Sequence, residues 1–348
     1  MKKIGILTAG GDAPGLNAAV RGVVKSAKEL YDMDTIGFYM GFHGLIENDY
    51  TPISDTSGFL TQGGTILKSS REKPFKGEDS DAKLKAILEN YRSHDLSALV
   101  VLGGNGTQKT AHLLHKELGL NIVSLPKTID NDILGTDSCF GFSSAVDIAT
   151  MAIDRIHTTA TSHNRVMIIE VMGHQAGWIG LEAGLASGSD IILIPEIPFH
   201  LQNVYAAVNQ RVAMQKDSTI ICVAEGAISH DERHLGKGEL AAKRKFRSIG
   251  QRIARKVEKH TGFESRLTVL GYVQRGGSPN AFDRNLATVL GSSAAQLIHS
   301  GNFGNMVGFV NGHAKAVPLS EVAGFTKKID KDNSFMDAAR SIGVVFGD

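Results

Sequence analysis

The sequence predicts an α/β fold in which mostly parallel sheets are sandwiched by helices. Short apolar runs, such as residues 98–102, alternate with longer amphipathic segments, such as residues 16–30. Alternation of this kind, with almost continuously apolar strands, is typical of parallel sheets that are covered on both faces. With 348 residues, the chain is long enough for about two domains.

The pattern predicts the individual elements in chain order. Strands are expected at residues 4–7, 35–39, 98–102, 122–125, 165–171, 191–194, 219–224 and 268–270. Helices are expected, among others, at residues 16–30, 81–91, 109–118 and 143–159. Glycines follow several strands directly, as at Gly10-Gly11, Gly103-Gly104 and Gly173. Open α/β sheets place their ligand-binding loops at these strand ends.

The composition is that of a globular protein without a dominant charge. The chain is 42% hydrophobic and 21% charged, with a formal net charge of +1. No global field favours nucleic acid or an anionic membrane as a partner, so anion binding has to be local. The first residues suggest a strand instead of a signal peptide. Cys139 and Cys222 are far apart in apolar surroundings and predict no disulfide framework. We expect a cytoplasmic protein.

The run Pro126-Lys127-Thr128-Ile129-Asp130-Asn131-Asp132 follows an apolar strand-like stretch. It brings two carboxylates, a cation and a hydroxyl into seven residues. Carboxylates two residues apart in an extended loop can face the same cleft, where one accepts a proton and the other holds a metal or a hydroxyl. A solvated acidic turn is the alternative interpretation, and the neighbouring glycine loops argue against it.

Two glycine-rich loops join a predicted strand to a predicted helix. They are residues 8–17, TAGGDAPGLN, and residues 102–107, LGGNGT. Backbone N–H groups at such a turn and at the following helix N-terminus can hold a phosphate. Residues 103–110 lack the glycine before the lysine that a P-loop requires. Close packing, which also needs glycine, is the alternative explanation.

Two further groups of polar residues adjoin predicted strands. Glu170-Val171-Met172-Gly173-His174 ends one strand, and the segment from Arg266 to Pro279 carries arginines on both sides of another. Arginines can bind an anionic group in a bidentate manner, although arginines beside a strand are often simply solvated. Gly276-Gly277 beside Arg275 implies a close backbone approach and favours a functional interpretation.

The motifs TAGGDAPGLN, GGNGT, PKTIDND, EVMG and VLGYVQRGGSP, in this order and spacing, resemble those of the phosphofructokinase A family. The resemblance extends from residue 1 to about residue 300. It implies two Rossmann-like lobes with the active site in the cleft between them. The first lobe would comprise residues 1–141 with 274–324 and bind the phosphoryl donor. The second would comprise residues 142–273 with 325–348 and bind the sugar phosphate.

The resemblance also implies the activity, which is phosphorylation of fructose 6-phosphate at its 1-hydroxyl by ATP with Mg²⁺. Asp130 would be the general base, Thr128 would contact the transferred group, and Asp132 would lie near the metal and the sugar. Catalytic roles would fall to Asp130, Thr128, Lys127 and Gly11. Donor contacts would come from Gly11, Phe42, Arg71, Gly104, Asn105, Gly106 and Thr107. Metal contacts would come from Asn105 and Asp132.

The acceptor side follows from the same resemblance. The sugar phosphate would contact Thr128, Asp130, Asp132, Arg165, Met172, Gly173, His174, Glu225, Arg266, Tyr272 and Arg275. Arg165 matches an arginine that reaches the site of a neighbouring subunit. A homotetramer is therefore expected, with a homodimer as the alternative.

The donor is judged from two positions. Members that use pyrophosphate carry Asp at the position of Gly106 and Lys at the position of Lys127, whereas bacterial ATP enzymes carry glycine at both. This chain combines Gly106 with Lys127. Because Gly106 removes the side chain that most directly obstructs a nucleotide, ATP is favoured, and pyrophosphate remains the alternative.

Three positions depart from the family pattern. Asn105 replaces an Asp associated with magnesium, His174 replaces an arginine that stabilises the transferred group, and Tyr272 replaces a common histidine. Asn offers one neutral oxygen to a cation that prefers carboxylates and phosphates, so weaker metal affinity is predicted. A catalytically weak sugar-phosphate-binding paralogue is the alternative from another functional class.

Overall fold

The computed structural model describes residues 2–244 and 248–348. The strands are β1 (Lys3–Thr8), β2 (Asp34–Phe38), β3 (Tyr50–Pro52), β4 (Leu96–Gly103), β5 (Ile122–Pro126), β6 (Val166–Val171), β7 (Ile191–Leu193), β8 (Thr219–Ala224), β9 (Ser265–Val269), β10 (Asn305–Val310) and β11 (His313–Pro318). The helices are α1 (Leu16–Tyr31), α2 (Phe42–Glu47), α3 (Ser80–Ser93), α4 (Asn105–Leu118), α5 (Phe142–His163), α6 (Trp178–Ala186), α7 (Leu201–Ala213), α8 (Lys237–Arg244), α9 (Ile249–Thr261), α10 (Ala281–His299), α11 (Leu319–Val322) and α12 (Ser334–Ser341).

The chain forms two compact units. The first comprises Met1–Ser144 and Arg275–Thr326, and the second comprises Ala145–Gln274 and Lys327–Asp348. Each unit is therefore assembled from two separate stretches of sequence. The predicted α/β class with mostly parallel sheets is confirmed.

The first unit contains a seven-stranded sheet in the order β11-β10-β5-β4-β1-β2-β3. The pairs β10–β11 and β2–β3 are antiparallel, and the other neighbours are parallel. Alternate residues of β4 face opposite cores: Val100 lies in the core on the side of α1 and α10, and Val101 lies in the core on the other side. Since β4 is apolar on both faces, it occupies the centre of the sheet.

Two glycines allow the closest helix packing in this unit. A Cβ on Gly22 of α1 would lie 2.9 Å from the carbonyl oxygen of Thr288, and one on Gly291 of α10 would lie 2.6 Å from that of Ala19. These distances are too short for any larger residue. Helices α1 and α10 therefore touch through their backbones, which brings the second stretch of the first unit onto the first.

The second unit contains a four-stranded parallel sheet in the order β7-β8-β6-β9. One face is covered by α7 and α9. Val204 of α7 and Ile253 of α9 belong to the same apolar core as Ile221 of β8. The C-terminal segment returns to the sheet edge, where Val345 pairs with Ile191 in a parallel bridge. The last residues of the chain are thus part of this unit's hydrogen-bonded framework.

The predicted boundaries differ from the observed ones by up to four residues, and two of these differences affect the site. The strand expected at residues 268–270 is β9, Ser265–Val269, so Arg266 lies inside the strand and not beside it. The helix expected from residue 109 begins at Asn105, so the GGNGT motif supplies the first turn of α4.

In the residues that the structure describes, no helix is long and apolar enough to cross a membrane.

Candidate active site

Three adjacent strands of the first unit end at one edge of its sheet. Strands β5, β4 and β1 are parallel neighbours, so the segments that follow them meet. A Cβ on Gly10, after β1, would lie 3.5 Å from Lys127 Nζ and 3.7 Å from Thr107 Oγ1. The glycine loops therefore converge with the segment from residue 126 to residue 132 within this unit.

A pocket of about 520 Å³ opens at this edge. Ten of its lining residues were predicted to belong to the site: Gly11, Phe42, Arg71, Gly104, Asn105, Gly106, Thr107, Lys127, Thr128 and Arg275. Six lining residues are cations, namely Arg71, Lys73, Lys76, Lys109, Lys127 and Arg275, and Glu72 is the acidic one. Phe42, Phe75 and Leu113 supply apolar surface. The pocket is thus suited to a molecule with several negative charges and an apolar part.

Helix α4 begins in the pocket wall. Its N-cap is Gly104, and no side chain caps this end. The first-turn N–H groups have no partner inside the helix, and the helix dipole is positive there. This end of α4 can therefore hold an anion such as a phosphate.

Lys127 is buried beneath the glycine loop, with 3% of its surface exposed. Its ammonium group donates a hydrogen bond to the carbonyl oxygen of Gly11. Burial lowers the pKa of Lys127 from 10.5 to about 8, and the nearby Arg275 contributes in the same direction. Asp12, Asp130 and Asp132 offset part of this decrease. Near neutral pH the ammonium remains mostly charged.

The buried ammonium predicts a pH dependence of stability in the ligand-free protein. Above pH 8 the folded protein releases the Lys127 proton, whereas the unfolded chain keeps it up to about pH 10.5. Because the unfolded state then binds more protons, the free energy of unfolding rises over this range, by about 3 kcal/mol. Urea denaturation at several pH values should show this rise relative to Lys127→Met. Parallel curves for the two proteins would contradict the prediction.

Arg275 lies against the same loop. Its Nη1 donates to the carbonyl oxygen of Asp12 at 3.0 Å, and a Cβ on Gly11 would lie 2.9 Å from that nitrogen. A larger residue at position 11 would thus displace the guanidinium. Glycine at position 11 thus allows the close approach of Arg275.

The two carboxylates of the motif are held by their own loop. The backbone N–H of Asp130 donates to Thr128 Oγ1 at 3.1 Å. Between the carboxylates, Asn131 has a positive φ of 50°, and its side-chain oxygen accepts the N–H of Cys139 at 2.9 Å. Asn tolerates this left-handed backbone better than most residues. Asn131 therefore fixes the turn that separates Asp130 from Asp132.

Asn105 joins the start of α4 to Asp132. Its amide nitrogen donates to the carbonyl oxygen of Asp132 at 3.0 Å and to Asp132 Oδ2 at 2.8 Å. Its amide oxygen is buried and has no hydrogen-bond partner. The amide N–H group of Asn105 thus provides a hydrogen-bond donor to the Asp132 carboxylate. The amide oxygen remains available to a ligand.

Gln108 was missing from the predicted site although it connects the strand ends. It is fully buried, and its amide nitrogen donates to the carbonyl oxygens of Gly103 and Leu125 at 2.9 and 3.1 Å. Ser124 donates to its amide oxygen. The sequence signal for this role is a glutamine placed shortly after the glycines that join a strand to a helix.

The second unit brings together part of the predicted acceptor set. Met172, Gly173 and His174 follow β6, and Glu225 follows the neighbouring β8. The N–H of Gly226 donates to the carbonyl oxygen of Gly173 at 3.0 Å. The N–H of Met172 donates to the side-chain oxygen of Gln274, which is fully buried and which sequence reasoning missed.

Arg165 and Arg266 lie elsewhere in this unit. Arg165 immediately precedes β6, and Arg266 pairs with Met167 near the start of that strand. Five residues of strand, about 17 Å, separate this level from Met172. Both guanidinium groups contact the carboxylate of Glu264, Arg165 at 2.9 Å. The structure therefore separates these arginines from the other acceptor residues of the same unit. Tyr272 is 81% exposed.

The family model described as "Phosphofructokinase" matches residues 3–298.

The chain belongs to the phosphofructokinase family.

The family includes relatives with both kinds of phosphoryl donor. The chain is 53% identical to the ATP-dependent 6-phosphofructokinase of Spirochaeta thermophila, over 100% of this chain and 98% of that protein. It is 43% identical to the pyrophosphate–fructose 6-phosphate 1-phosphotransferase of Streptomyces coelicolor, over 99% of this chain and 100% of that protein. Phosphofructokinase from Saccharomyces cerevisiae shares the fold with a TM-score of 0.80 at 30% identity. That match covers 92% of this chain, which spans 45% of the yeast chain.

Proposed function

We propose that this chain is an ATP-dependent 6-phosphofructokinase, which transfers the terminal phosphoryl group of ATP to the 1-hydroxyl of fructose 6-phosphate. The observation that carries the proposal is the cationic pocket at the ends of β1, β4 and β5 in the first unit. Its wall continues into the loop that holds Thr128, Asp130 and Asp132. Phosphoryl transfer to an alcohol requires a site for the donor's phosphates and, next to it, a carboxylate that accepts the alcohol's proton. The hydroxyl of Thr128 adds a contact for the transferred group.

The reaction assigns one role to each group. Asp130 accepts the proton of the 1-hydroxyl while that oxygen attacks the terminal phosphorus, and the bond to the ADP oxygen breaks. Lys127, Arg275 and the N-terminus of α4 bind the donor's phosphates and stabilise the negative charge that develops on the oxygens. Thr128 contacts the transferred group. Phe42, Phe75 and Leu113 form the apolar surface for the base of the nucleotide.

The residues at the start of α4 are compatible with Mg²⁺. The unpartnered, buried oxygen of Asn105 lies next to the carboxylate of Asp132, and Mg²⁺ takes oxygen ligands. Among the described residues, no three His, Cys, Asp or Glu side chains form a cluster that could hold a metal. Asn105 and Asp132 would therefore hold the ion together with the donor's phosphates. When bound, Mg²⁺ neutralises phosphate charge.

Asn105→Asp tests the assignment of the metal ligands. The substitution replaces the hydrogen bond to Asp132 by a second carboxylate, and the two negative charges then favour a divalent cation between them. We expect the Mg²⁺ concentration that gives half-maximal turnover to fall about tenfold, a change of about 1.4 kcal/mol, with little change at saturating Mg²⁺. An unchanged Mg²⁺ dependence would place Asn105 outside the metal site.

The acceptor is assigned to the second unit and to neighbouring copies of the chain. Met172, Gly173, His174 and Glu225 would contact fructose 6-phosphate, as would Tyr272. Arg165 and Arg266 lie about one strand length from Met172, which supports a role at the acceptor site of another subunit. We therefore propose a homotetramer, with a homodimer as the alternative, and sedimentation equilibrium distinguishes the two from a monomer.

The choice of ATP depends on Gly106. A Cβ at this position would meet no atom within 4 Å, so Gly106 borders open space at the pocket wall. That space supports a donor larger than pyrophosphate. Pyrophosphate is the second candidate because Lys127, the lysine of the members that use pyrophosphate, lies under the glycine loop.

Both cysteines are buried thiols and not a disulfide, which supports a cytoplasmic location.

Turnover of fructose 6-phosphate with Mg²⁺ and either ATP or pyrophosphate tests the proposal. Activity with ATP supports it, and activity with pyrophosphate alone would replace the donor. If neither donor supports turnover, the protein is a sugar-phosphate-binding paralogue or uses another sugar phosphate. Titration with fructose 6-phosphate in a calorimeter separates these last two outcomes.

A further inference from the structure

Glu196 lies just after β7 in the second unit and connects two distant segments. Its two carboxylate oxygens each accept the backbone N–H of Gly177 at 3.1 Å. Oxygen Oε1 also accepts the N–H of Ile329 at 3.3 Å. Gly177 ends the loop that begins at Met172 and is the N-cap of α6. One carboxylate therefore holds both this loop and the beginning of the C-terminal segment.

The backbone of the loop of residues 172–177 is restricted by close contacts at its two glycines. Gly173 has a positive φ of 128°, and a Cβ there would lie 2.8 Å from the carbonyl oxygen of Ala176. A Cβ on Gly177 would lie 2.5 Å from the Cβ of Ile194 and 3.0 Å from Glu196 Oε2. The loop is thus packed closely against Glu196. A change in the position of this carboxylate has to move Gly177.

Glu196 offers the loop a carboxylate as its hydrogen-bond acceptor. Gly226 and Gln274 bind the first half of the loop through neutral hydrogen bonds. Burial raises the pKa of the Glu196 carboxyl, and the N–H groups of Gly177 and Ile329 and the cation of Lys328 offset part of this rise. Hydrogen bonds to a charged acceptor are stronger than neutral ones. In its ionised form, Glu196 therefore holds Gly177 and Ile329 more firmly than a neutral acceptor would.

A second contact connects the same two segments. The indole N–H of Trp178, the first residue of α6, donates to the carbonyl oxygen of Lys327 at 3.4 Å. The ammonium of Lys327 lies 5.2 Å from the centre of the Trp178 ring. The start of α6 and residues 327–329 are therefore joined twice, through Glu196 at Gly177 and through Trp178.

We propose that Glu196 is a positioning residue for the sugar phosphate, because it fixes the loop that carries Met172, Gly173 and His174 and links its shape to residues 327–329. The proposal rests on the proposed function, which assigns these three residues to the acceptor. Glu196 itself does not touch the substrate. Its substitution should therefore affect the binding of the sugar phosphate and not that of the nucleotide.

Glu196→Gln is the test variant, because the amide keeps the shape of the side chain but offers one acceptor atom instead of two. Glu182→Gln is the matched control. Glu182 is also a partly buried acid of this unit, with its pKa raised to about 7 by burial and with Lys327 as its neighbouring cation. It lies within α6, and in the described part of the chain its side chain makes no hydrogen bond to the loop. The two variants make the same chemical change, carboxyl to amide, at different places.

We expect Glu196→Gln to raise the KM for fructose 6-phosphate about tenfold, as for the loss of one hydrogen bond to a charged group. The KM for ATP and kcat should change less than twofold, and Glu182→Gln should leave all three constants within twofold. An unchanged KM for the sugar phosphate would overturn the proposal. So would an equal rise with the control variant, because this would indicate a general loss of structure.

Hydrogen exchange measured by mass spectrometry provides a readout that does not depend on activity. Without substrate, peptides that cover residues 172–178 and 327–331 should exchange faster in Glu196→Gln than in the wild type or in Glu182→Gln. Equal exchange in all three proteins would overturn the role of Glu196. A wild type that does not phosphorylate fructose 6-phosphate would refute the proposed function, and the exchange data would still decide whether Glu196 holds the loop.

Discussion

Asp130→Ala is expected to lower the turnover of fructose 6-phosphate by about 10²- to 10⁴-fold, because the 1-hydroxyl loses its general base. The KM for fructose 6-phosphate should change much less, since most of its binding is assigned to the second unit. Steady-state kinetics with ATP and Mg²⁺ measure both constants. The remaining rate reflects the positioning of the phosphates by Lys127, Arg275 and α4, which the substitution leaves in place.

Asp55→Ala is a suitable control for this variant. Asp55 is exposed, and its carboxylate accepts hydrogen bonds from the side chain and the backbone of Ser57. The substitution removes one carboxylate from the first unit without touching the pocket, so turnover should stay within twofold. If Asp130→Ala keeps full turnover, Asp130 is not the base, and Asp132 becomes the candidate.

Gly106→Asp is expected to lower kcat/KM for ATP about a hundredfold, which corresponds to about 2.7 kcal/mol. The new carboxylate would lie in the first turn of α4, where the nucleotide's phosphates are expected to bind, and like charges brought this close cost several kcal/mol. Since a Cβ at position 106 meets no atom within 4 Å, the variant should fold normally. The same preparation should be assayed with ATP and with pyrophosphate.

Gly106→Asn separates charge from size at this position. The amide has the shape of the carboxylate without its charge, so a smaller decrease with the Asn variant would identify repulsion as the main effect. Equal decreases would identify steric exclusion. If Gly106→Asp leaves kcat/KM for ATP unchanged, the nucleotide's phosphates do not pass this residue, and the choice of donor rests on Lys127.

The sequence predicted those parts of the site that depend on strand ends. Parallel strands place their carboxyl ends at one edge, so the glycines after β1 and β4 and the residues after β5 had to converge. It did not predict that α4 starts at Asn105. Asn, Gly and Thr are weak helix formers. The turn is held by the Gln108 side chain, which donates hydrogen bonds to the carbonyl oxygens of Gly103 in β4 and Leu125 in β5.

The position of the two arginines was harder to predict for a different reason. The motif around Arg266 indicates a strand nearby, but not where within the strand the residue lies or which strand it pairs with. The pairing of Arg266 with Met167 sets it at the opposite end of β6 from Met172. Contacts between segments far apart in sequence, such as that of Glu196 with Ile329, leave no periodic pattern at all.

The division of each unit into two stretches of chain has a consequence for synthesis on the ribosome. The first unit needs β10, which pairs with β5, and the second needs Val345, which pairs with Ile191. Neither framework is complete until the last part of the chain has been translated. The apolar face of the first sheet that α10 covers therefore stays open until residues 281–299 have been translated, and it has to be protected from other nascent chains until then. A premature stop before Val345 would leave the β7 edge of the second sheet unpaired at Ile191.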